Sequence, residues 1–301
     1  MSRFRIQVLG DLTICRTGDG SVPIAGSCWP VLGYLLTHRG RRVSRVELAE
    51  TLWADHEGFR ARRCLSTALW RLKKSTGLGP SLLIYHGADE MSFNWEAPAW
   101  VDSVAMEVRV QPLLRTKPVM LTHNDVARLT RAVRLYRGDY MMGIDHEWAW
   151  LERQRLRTLY CDGLYHLSLA YAATFDWICV LKWGRRLSRE EPLREDVHRL
   201  LMRAYVHTGN RAKAIAQYRE CRCILNDELG IEPMAETQEL FRQLIRSEPP
   251  RGEPPSPSAA PAMKHLHRCI MRVRRVLSSY QQQLDKALDS MDKVGRPTKR
   301  P

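Results

Sequence analysis

Apolar and polar residues alternate at the start of the chain. Phe4, Ile6 and Val8 are separated by polar residues, and this period of two predicts a half-buried strand. Residues 18–20 predict a turn, and residues 22–24 predict a short return strand. The chain is therefore expected to begin with a small sheet.

Three helices are predicted next. Apolar residues from Trp29 to Leu36 recur at helical spacing and stop near Gly40. Ser44 and Glu47 have the Ser-x-x-Glu spacing of a capping box, which predicts the start of a second helix. A third helix is predicted over residues 60–74, where leucines recur at helical spacing.

A β-hairpin is predicted after the third helix. Two apolar runs, 82–85 and 91–95, flank the turn-forming segment 87–90. A small sheet, three helices and a closing hairpin predict a winged helix over residues 1–97, whose third helix enters the major groove of DNA. The hairpin tip carries Asp89 and Glu90, which repel phosphates, so the wing is expected to contact DNA weakly or through His86.

The third helix carries the candidate chemistry. Leu65, Leu69 and Leu72 form its apolar face, and between Arg60 and Lys74 there are six basic residues and no acidic residue. Such a polar face combines charge that binds phosphate with short hydroxyls that reach base edges. The candidates for base-edge contact are Arg63, Ser66, Thr67 and Arg71, and those for phosphate contact are Arg60, Arg62, Lys73 and Lys74.

Four further residues each allow two interpretations. Trp70 is expected either to pack on deoxyribose or a thymine methyl group, or to be buried against the wing. Arg41, Arg42 and Arg45, at the start of the second helix, are expected either to clamp phosphate or to be solvated loop charges. For the third helix as a whole the alternative is a solvated charged face, but its place between a capped helix and a hairpin favours DNA binding.

Residues 98–248 are predicted to be almost wholly helical, with a weak internal repeat. Tyr171 and Tyr205 are 34 residues apart, and so are Val180 and Ala214. This period is typical of tetratricopeptide repeats (TPR). The predicted fold class is mainly α: an N-terminal winged helix-turn-helix (α+β), an all-α TPR-like domain and a C-terminal helix. The aromatic residues at positions 148, 150, 171, 183, 205 and 218 are expected to form the repeat core.

Several blocks in this helical region resemble the bacterial transcriptional activator domain. They are residues 135–139, 145–155, 191–195, 201–218 and 228–237, and the Glu-Leu-Gly-Ile-Glu-Pro sequence within the last block is quite specific. An OmpR-type winged helix followed by this domain is the layout of the antibiotic-regulatory-protein (SARP) family of activators. The resemblance implies sequence-specific binding to double-stranded promoter DNA and recruitment of RNA polymerase.

Other classes of function fit the sequence less well. The acidic hairpin tip and Trp70 motivate one alternative, a TPR-like interaction scaffold whose winged helix has lost specific DNA reading. An enzyme is not predicted, because no nucleophile–base cluster or phosphate loop is recognisable and the chain has no Gly-Lys dipeptide. His146-Glu147 begins like a zinc motif, but Trp150 stands where the second His is required. No metal or other cofactor is predicted.

The C-terminal region lies outside the resemblance. Residues 249–262 are a proline-rich linker, 263–293 a heptad-like helix and 294–301 a basic tail. The apolar stripe at 266–291 is expected to pair with a second copy of the chain, fold back on the repeats or receive another protein. A homodimer through either the helical domain or this stripe is one of the alternatives left open.

Composition restricts the partners and the compartment. The net charge of +14 favours a polyanion as a partner. The eight scattered cysteines are typical of reduced core residues, and no apolar run approaches the roughly 20 residues needed to cross a membrane. The expected location is the bacterial cytoplasm, on the nucleoid when bound to DNA, with no membrane partner.

Overall fold

In the part of the chain that the structure describes, small sheets and helices form the first hundred residues, and helices form most of the rest. The computed structural model describes residues 4–16, 20–76 and 82–246. The strands are β1 (Phe4–Gln7), β2 (Thr13–Arg16), β3 (Gly20–Ser21), β4 (Val43–Ser44), β5 (Leu83–His86), β6 (Glu90–Phe93) and β7 (Ala99–Val101). The helices of the first part are α1 (Cys28–Thr37), α2 (Arg45–Leu52) and α3 (Gly58–Thr76).

The helical part contains a short 3-10 turn at Pro118–Met120 and seven α-helices within the described ranges. They are α4 (Asp102–Leu114), α5 (His123–Val133), α6 (Glu147–Ala173), α7 (Trp177–Glu190), α8 (Glu195–His207), α9 (Arg211–Leu229) and α10 (Ala235–Arg246). None of the helices described is long and apolar enough to cross a membrane. The predicted linker, heptad helix and basic tail lie outside the described residues.

The N-terminal sheet has the strand order β3-β2-β1-β7. β1 pairs antiparallel with β2 and parallel with β7. The predicted half-buried strand is confirmed, because Phe4 and Ile6 are buried whereas the residue between them is exposed. A return strand is present, but its bounds of 22–24 are wrong: β3 is Gly20–Ser21. The Val22 N–H still donates to the Ile14 carbonyl at 2.7 Å, whereas Pro23 has no N–H with which to continue the ladder.

The three helices and the hairpin follow in the predicted order. β4 joins the hairpin, giving a second sheet with the order β4-β6-β5. Ser44 Oγ accepts a hydrogen bond from the Glu47 N–H at 3.0 Å, which starts α2 as predicted. The capping box is only half formed, because the Glu47 carboxylate instead accepts from the Tyr34 hydroxyl at 2.8 Å and from Arg41 at 3.0 Å.

Two helix pairs of the helical part, α6–α7 and α8–α9, share one turn geometry. Asp176 and Asn210 cap α7 and α9 by accepting from the N–H three residues further on, at 3.1 and 3.2 Å. Their own N–H groups donate to the carbonyls of Tyr171 and Tyr205, at 3.0 and 2.8 Å. The predicted 34-residue repeat and the TPR-like fold are therefore confirmed.

The predicted aromatic core is correct except at Trp150. The buried members are Trp148, Trp183, Tyr205 and Tyr218, and Tyr171 is half-buried. Trp150 is 54% exposed. Trp148 and Trp150 are two residues apart on one helix, so they point to nearly opposite sides and cannot share one buried face.

The specific block at 228–237 links α9 to α10. Gly230 ends α9 in the left-handed conformation, with φ of 68°. The buried carboxylate of Glu195, at the start of α8, accepts hydrogen bonds from Met234 N at 2.9 Å and from Thr237 Oγ1 at 2.6 Å. This block therefore holds the last repeat together.

Buried polar contacts join the winged helix to the helical part. Asp102 is fully buried at the start of α4, and its carboxylate accepts from the N–H groups of Val8 at 2.9 Å and Leu9 at 3.2 Å. Burial raises the pKa of this carboxyl group, an effect that the two backbone hydrogen bonds partly offset. The Tyr140 hydroxyl donates to the carbonyl of Gly33 in α1 at 3.1 Å. The Tyr140 contact helps to hold α1, on which α3 packs.

A charged network adds to this junction. Glu107 of α4 binds Arg39, just beyond α1, at 2.7 Å and also binds Arg155 of α6. Arg155 binds Glu152 as well, at 2.7 Å. Burial raises the pKa of Glu107, but the stronger combined effect of Arg155 and Arg39 holds it below its usual range. The arginines on both sides of Glu107 therefore keep it ionised.

Candidate nucleic-acid interface

α3 has one face in the core of the winged helix and one in solvent. Leu65, Leu69 and Leu72 are buried, as predicted. Cys28 Sγ on α1 donates a hydrogen bond to the carbonyl of Ala68 at 3.3 Å, which helps to fix the rotation of α3 about its axis. The structure brings the nine candidate residues of this helix together on the exposed side: Arg60, Arg62, Arg63, Ser66, Thr67, Trp70, Arg71, Lys73 and Lys74.

Most cations on this face have no carboxylate partner. The charged groups of Arg60, Arg63, Arg71 and Lys73 form no ion pair or hydrogen bond within residues 4–16, 20–76 and 82–246. Arg63 lies near the centre of the exposed face, because it is on the side of the helix opposite the buried leucines. These groups are free to bind phosphate oxygens or the acceptor atoms of guanine.

Trp70 is part of the exposed face. It is 58% exposed, so the predicted alternative of burial against the wing is wrong. The ammonium group of Lys74 lies 4.8 Å from the centre of its ring, a cation–π contact one helical turn away. Trp70 therefore presents an apolar edge between cations, which suits contact with deoxyribose or a thymine methyl group.

The two candidate hydroxyl groups differ in their remaining hydrogen-bonding capacity. Ser66 Oγ donates to the Arg62 carbonyl at 2.9 Å and accepts from Arg45 Nη2 at 3.1 Å. Thr67 Oγ1 donates to the Arg63 carbonyl at 2.9 Å. Both hydroxyl protons are thus used within α3, and Ser66 also accepts a bond. Thr67 is the better placed of the two to accept a bond from a base.

The three arginines near α2 have separate environments. Arg41 is paired with Glu47 at 3.0 Å. Arg45 donates its backbone N–H to the carbonyl of Asp89 at 2.7 Å, which ties α2 to the hairpin tip. Arg42 is exposed and has no ion pair among the residues described. Arg42 is therefore the strongest phosphate-clamp candidate of the three.

The wing offers little cationic surface. Gly87 allows the tight hairpin turn with φ of 70°. His86 Nε2 lies 2.9 Å from Ser92 Oγ, so this ring nitrogen already has a partner. Asp89 is exposed and Glu90 is half-buried at the tip. The arrangement agrees with the expectation that α3 rather than the wing makes the main contacts.

A groove beside α3 contains residues that sequence reasoning missed. It has a volume of about 380 Å³. Ser27, Trp53 and His56 line it opposite the side of α3 that carries Arg60, Arg63, Thr67 and Arg71. One feature of the sequence could have located these residues. The turn of the predicted helix-turn-helix must pass beside the first half of the third helix.

The thiols of the described residues differ in burial. The seven cysteines in the described ranges are all free. Burial raises the pKa of Cys161 and of Cys221 to about 12, so these thiols stay protonated at neutral pH. Cys221 is buried and Cys223 is exposed, as expected for neighbours on different helix faces.

Comparisons with known proteins agree with this architecture. The family model "Bacterial transcriptional activator domain" matches residues 102–245. The chain is 26% identical over 256 residues to regulatory protein AfsR of Streptomyces coelicolor, covering 83% of this chain and 25% of AfsR. It is 26% identical over 274 residues to regulatory protein DnrI of Streptomyces peucetius, covering 85% of this chain and 98% of DnrI. The chain thus spans about a quarter of AfsR and nearly all of DnrI.

A solved structure has the same fold. The structure of Mycobacterium tuberculosis EmbR in complex with a low affinity phosphopeptide superposes with a TM-score of 0.67 and 21% sequence identity, covering 83% of this chain and 66% of that chain. At this identity the likeness concerns the fold alone. Residues 102–245 match the bacterial transcriptional activator domain, and the chain resembles SARP-type regulators, in which an N-terminal winged helix precedes that domain.

Proposed function

We propose that this chain is a transcriptional activator that binds double-stranded promoter DNA through α3 and recruits RNA polymerase. The exposed and largely unpaired cationic face of α3 is the observation that carries the proposal. The names of the relatives support it, since AfsR and DnrI are both regulatory proteins. The proposed role is that of a regulator and not of an enzyme.

The proposed contacts follow from the placement of each side chain. Arg63 and Arg71 reach guanine acceptors in the major groove, where an arginine makes two parallel hydrogen bonds. Thr67 lies between them on the same side of α3 and accepts from an exocyclic amine. The flanking cations neutralise phosphates and set the position of the helix on the duplex. The phosphate-binding set is Arg60, Arg62, Lys73, Lys74 and Arg42, with Arg45 holding Ser66.

The proposed division of labour assigns residues 1–97 to DNA binding and residues 98–248 to activation. Buried contacts at Asp102 and Glu107 hold the two parts in a fixed relation, so a bound α3 also positions the helical repeats. We assign polymerase contact to the helical part. A homodimer through this part or through residues 266–291 would place two α3 helices on a repeated site. The proposed place of action is the cytoplasm, on the nucleoid.

The test begins with mapping the binding sites of the full chain across its source genome. A mapped fragment and a scrambled duplex of equal length are then titrated by fluorescence anisotropy at several salt concentrations. Specific reading predicts a preference of at least about a thousandfold for the mapped fragment and an affinity that falls as salt rises. Equal binding to both duplexes would favour the interaction scaffold instead.

Activation needs its own readout. In vitro transcription from the mapped promoter with purified RNA polymerase is expected to increase when the chain is added. A decrease in transcript would contradict activation while leaving DNA binding intact. The two experiments therefore separate the role of α3 from the role of the helical part.

A further inference from the structure

A second cationic groove lies in the helical part and shares no residue with the α3 surface. Its volume is about 530 Å³, which is within the range of small-molecule sites. Trp100 of β7, Arg109 of α4, and Arg128 and Arg131 of α5 line it together with Asn124 and Leu135. Three of these lining residues are arginines, and none of them carries a carboxylate.

The positive charge of this groove is largely uncompensated. Arg109 Nη1 donates to a carbonyl of its own helix at 3.0 Å, a contact with a neutral group. Arg128 forms a long ion pair, in which its Nη1 lies 3.7 Å from Asp125 Oδ1. Arg131 has no ion pair or hydrogen bond from its guanidinium group among the residues described. A bound anion would meet little competition from the protein's own acids.

The packing of α5 fixes this arrangement. Asn124, Arg128 and Arg131 recur at i, i+4 and i+7, so they share one side of the helix. Leu129 and Val133 are fully buried on the other side and hold the polar side towards the groove. The arginines of the site are therefore carried by the helices α4 and α5.

A strand of the N-terminal sheet supplies the apolar part of the lining. Trp100 lies on β7, directly opposite Arg5 of β1. The guanidinium carbon of Arg5 lies 4.7 Å from the centre of the Trp100 ring, which places a fourth cation beside the groove. Trp100 and Leu135 offer apolar surface next to these cations.

We propose that this groove binds a small molecule carrying a diphosphate group. An arginine presents a fork of N–H donors that fits phosphate oxygens, and two linked phosphates offer enough oxygens for three such forks. The Asn124 amide is a further donor at the rim. The volume suits a compact ligand rather than the extended backbone of a duplex. Inorganic diphosphate and a nucleoside diphosphate share this chemistry.

Isothermal titration calorimetry of the full chain with pyrophosphate, and separately with ADP, tests the site. Each lost arginine–phosphate contact is expected to weaken binding about tenfold, so Arg128→Glu with Arg131→Glu should weaken it by about a hundredfold or more. Tighter binding of ADP than of pyrophosphate would identify a nucleotide as the source, with its organic part on Trp100. Similar affinities would identify inorganic diphosphate. Absence of saturable binding of either probe would overturn the proposal.

Two matched variants separate a built site from general charge attraction. Arg189→Glu with Arg203→Glu makes the same change in net charge at exposed positions of the same helical part and should leave binding unchanged. Arg128→Lys with Arg131→Lys keeps the charge but removes the forks, so it should still weaken binding. An equal loss in the two Glu variants, or no loss in the Lys variant, would contradict the proposal. Circular dichroism and thermal unfolding verify that each variant is folded.

Discussion

The arginines of α3 and the paired arginines of the helical part serve different purposes. Arg63 and Arg71 lie in an exposed row of cations. Neither has a carboxylate partner among the residues described. Arg194 binds Glu191 and Asp196, each at 2.8 Å, and Arg155 binds both Glu152 and Glu107. The charge on α3 is available to a ligand, whereas the charge on these repeat arginines is used to hold helices together.

This difference explains why the net charge alone says little about where DNA binds. A paired arginine presents a nearly neutral surface, because its carboxylates cancel its field at a distance. An unpaired row keeps its field and displaces the counterions condensed on an incoming polyanion. Pairing, which depends on the fold, therefore decides which of the basic residues form a binding surface.

The largest effect is expected from removing two unpaired arginines of α3. Arg63→Ala combined with Arg71→Ala should weaken specific DNA binding by about 4 kcal/mol, roughly a thousandfold, because two bidentate base contacts are lost. The free energy of unfolding should not change. Arg189→Ala with Arg203→Ala, at exposed positions of the repeats, is the control for lost charge. Anisotropy titrations measure the effect, and an equal loss in both pairs would abolish the distinction between the two regions.

The second effect is the reverse case, in which stability changes and DNA binding does not. Arg155→Ala leaves the partly buried Glu107 and Glu152 without this partner and should lower the free energy of unfolding by about 2 kcal/mol. The figure is below the roughly 3–5 kcal/mol of a fully buried pair because Arg155 is partly exposed to solvent. Urea unfolding measures it. Arg222→Ala, which breaks an exposed pair with Glu232, is the control and should have no measurable effect.

A smaller effect concerns pH. Because Arg155 and Arg39 hold the pKa of Glu107 below its usual range, its ionised form stabilises the folded state. This stabilisation is fully present above the ordinary carboxyl pKa of about 4.3 and is lost as the pH falls through the lower folded-state value. Glu107→Gln should therefore cost about 1 kcal/mol near pH 7 and nothing in strong acid. A constant difference across unfolding curves at several pH values would contradict this role.

The smallest effect is expected from a cation assigned to phosphate. Lys73→Ala should weaken binding to all sequences alike and should make the slope of log affinity against log salt shallower by about 0.9. The preferred sequence should not change. Selection of binding sites from a random library checks the preference, and a changed motif would move Lys73 to the base-reading set.

Several features of this protein could be read from the sequence because they are local. The buried leucines of α3, the Ser44 cap and the 34-residue repeat are periodic or adjacent in the chain. A period reveals which side of a helix is apolar, so it also reveals which residues face solvent. The exposed candidates on α3 follow from this alone. Trp150 is the exception. Its aromatic type predicts a core position, but its position around the helix axis places it on the exposed side.

The tertiary structure determined which residues each helix face contacts. Residues far apart in sequence come together where β7 pairs with β1, where Asp102 binds Val8 and Leu9, and where Trp100 joins the arginines of α5. No local period encodes such contacts, because they depend on how whole elements pack. The sequence by itself determined the winged helix, the repeats and the cationic side of α3. Only the fold determined which arginines find a carboxylate and which stay free, because a partner is chosen by proximity in space.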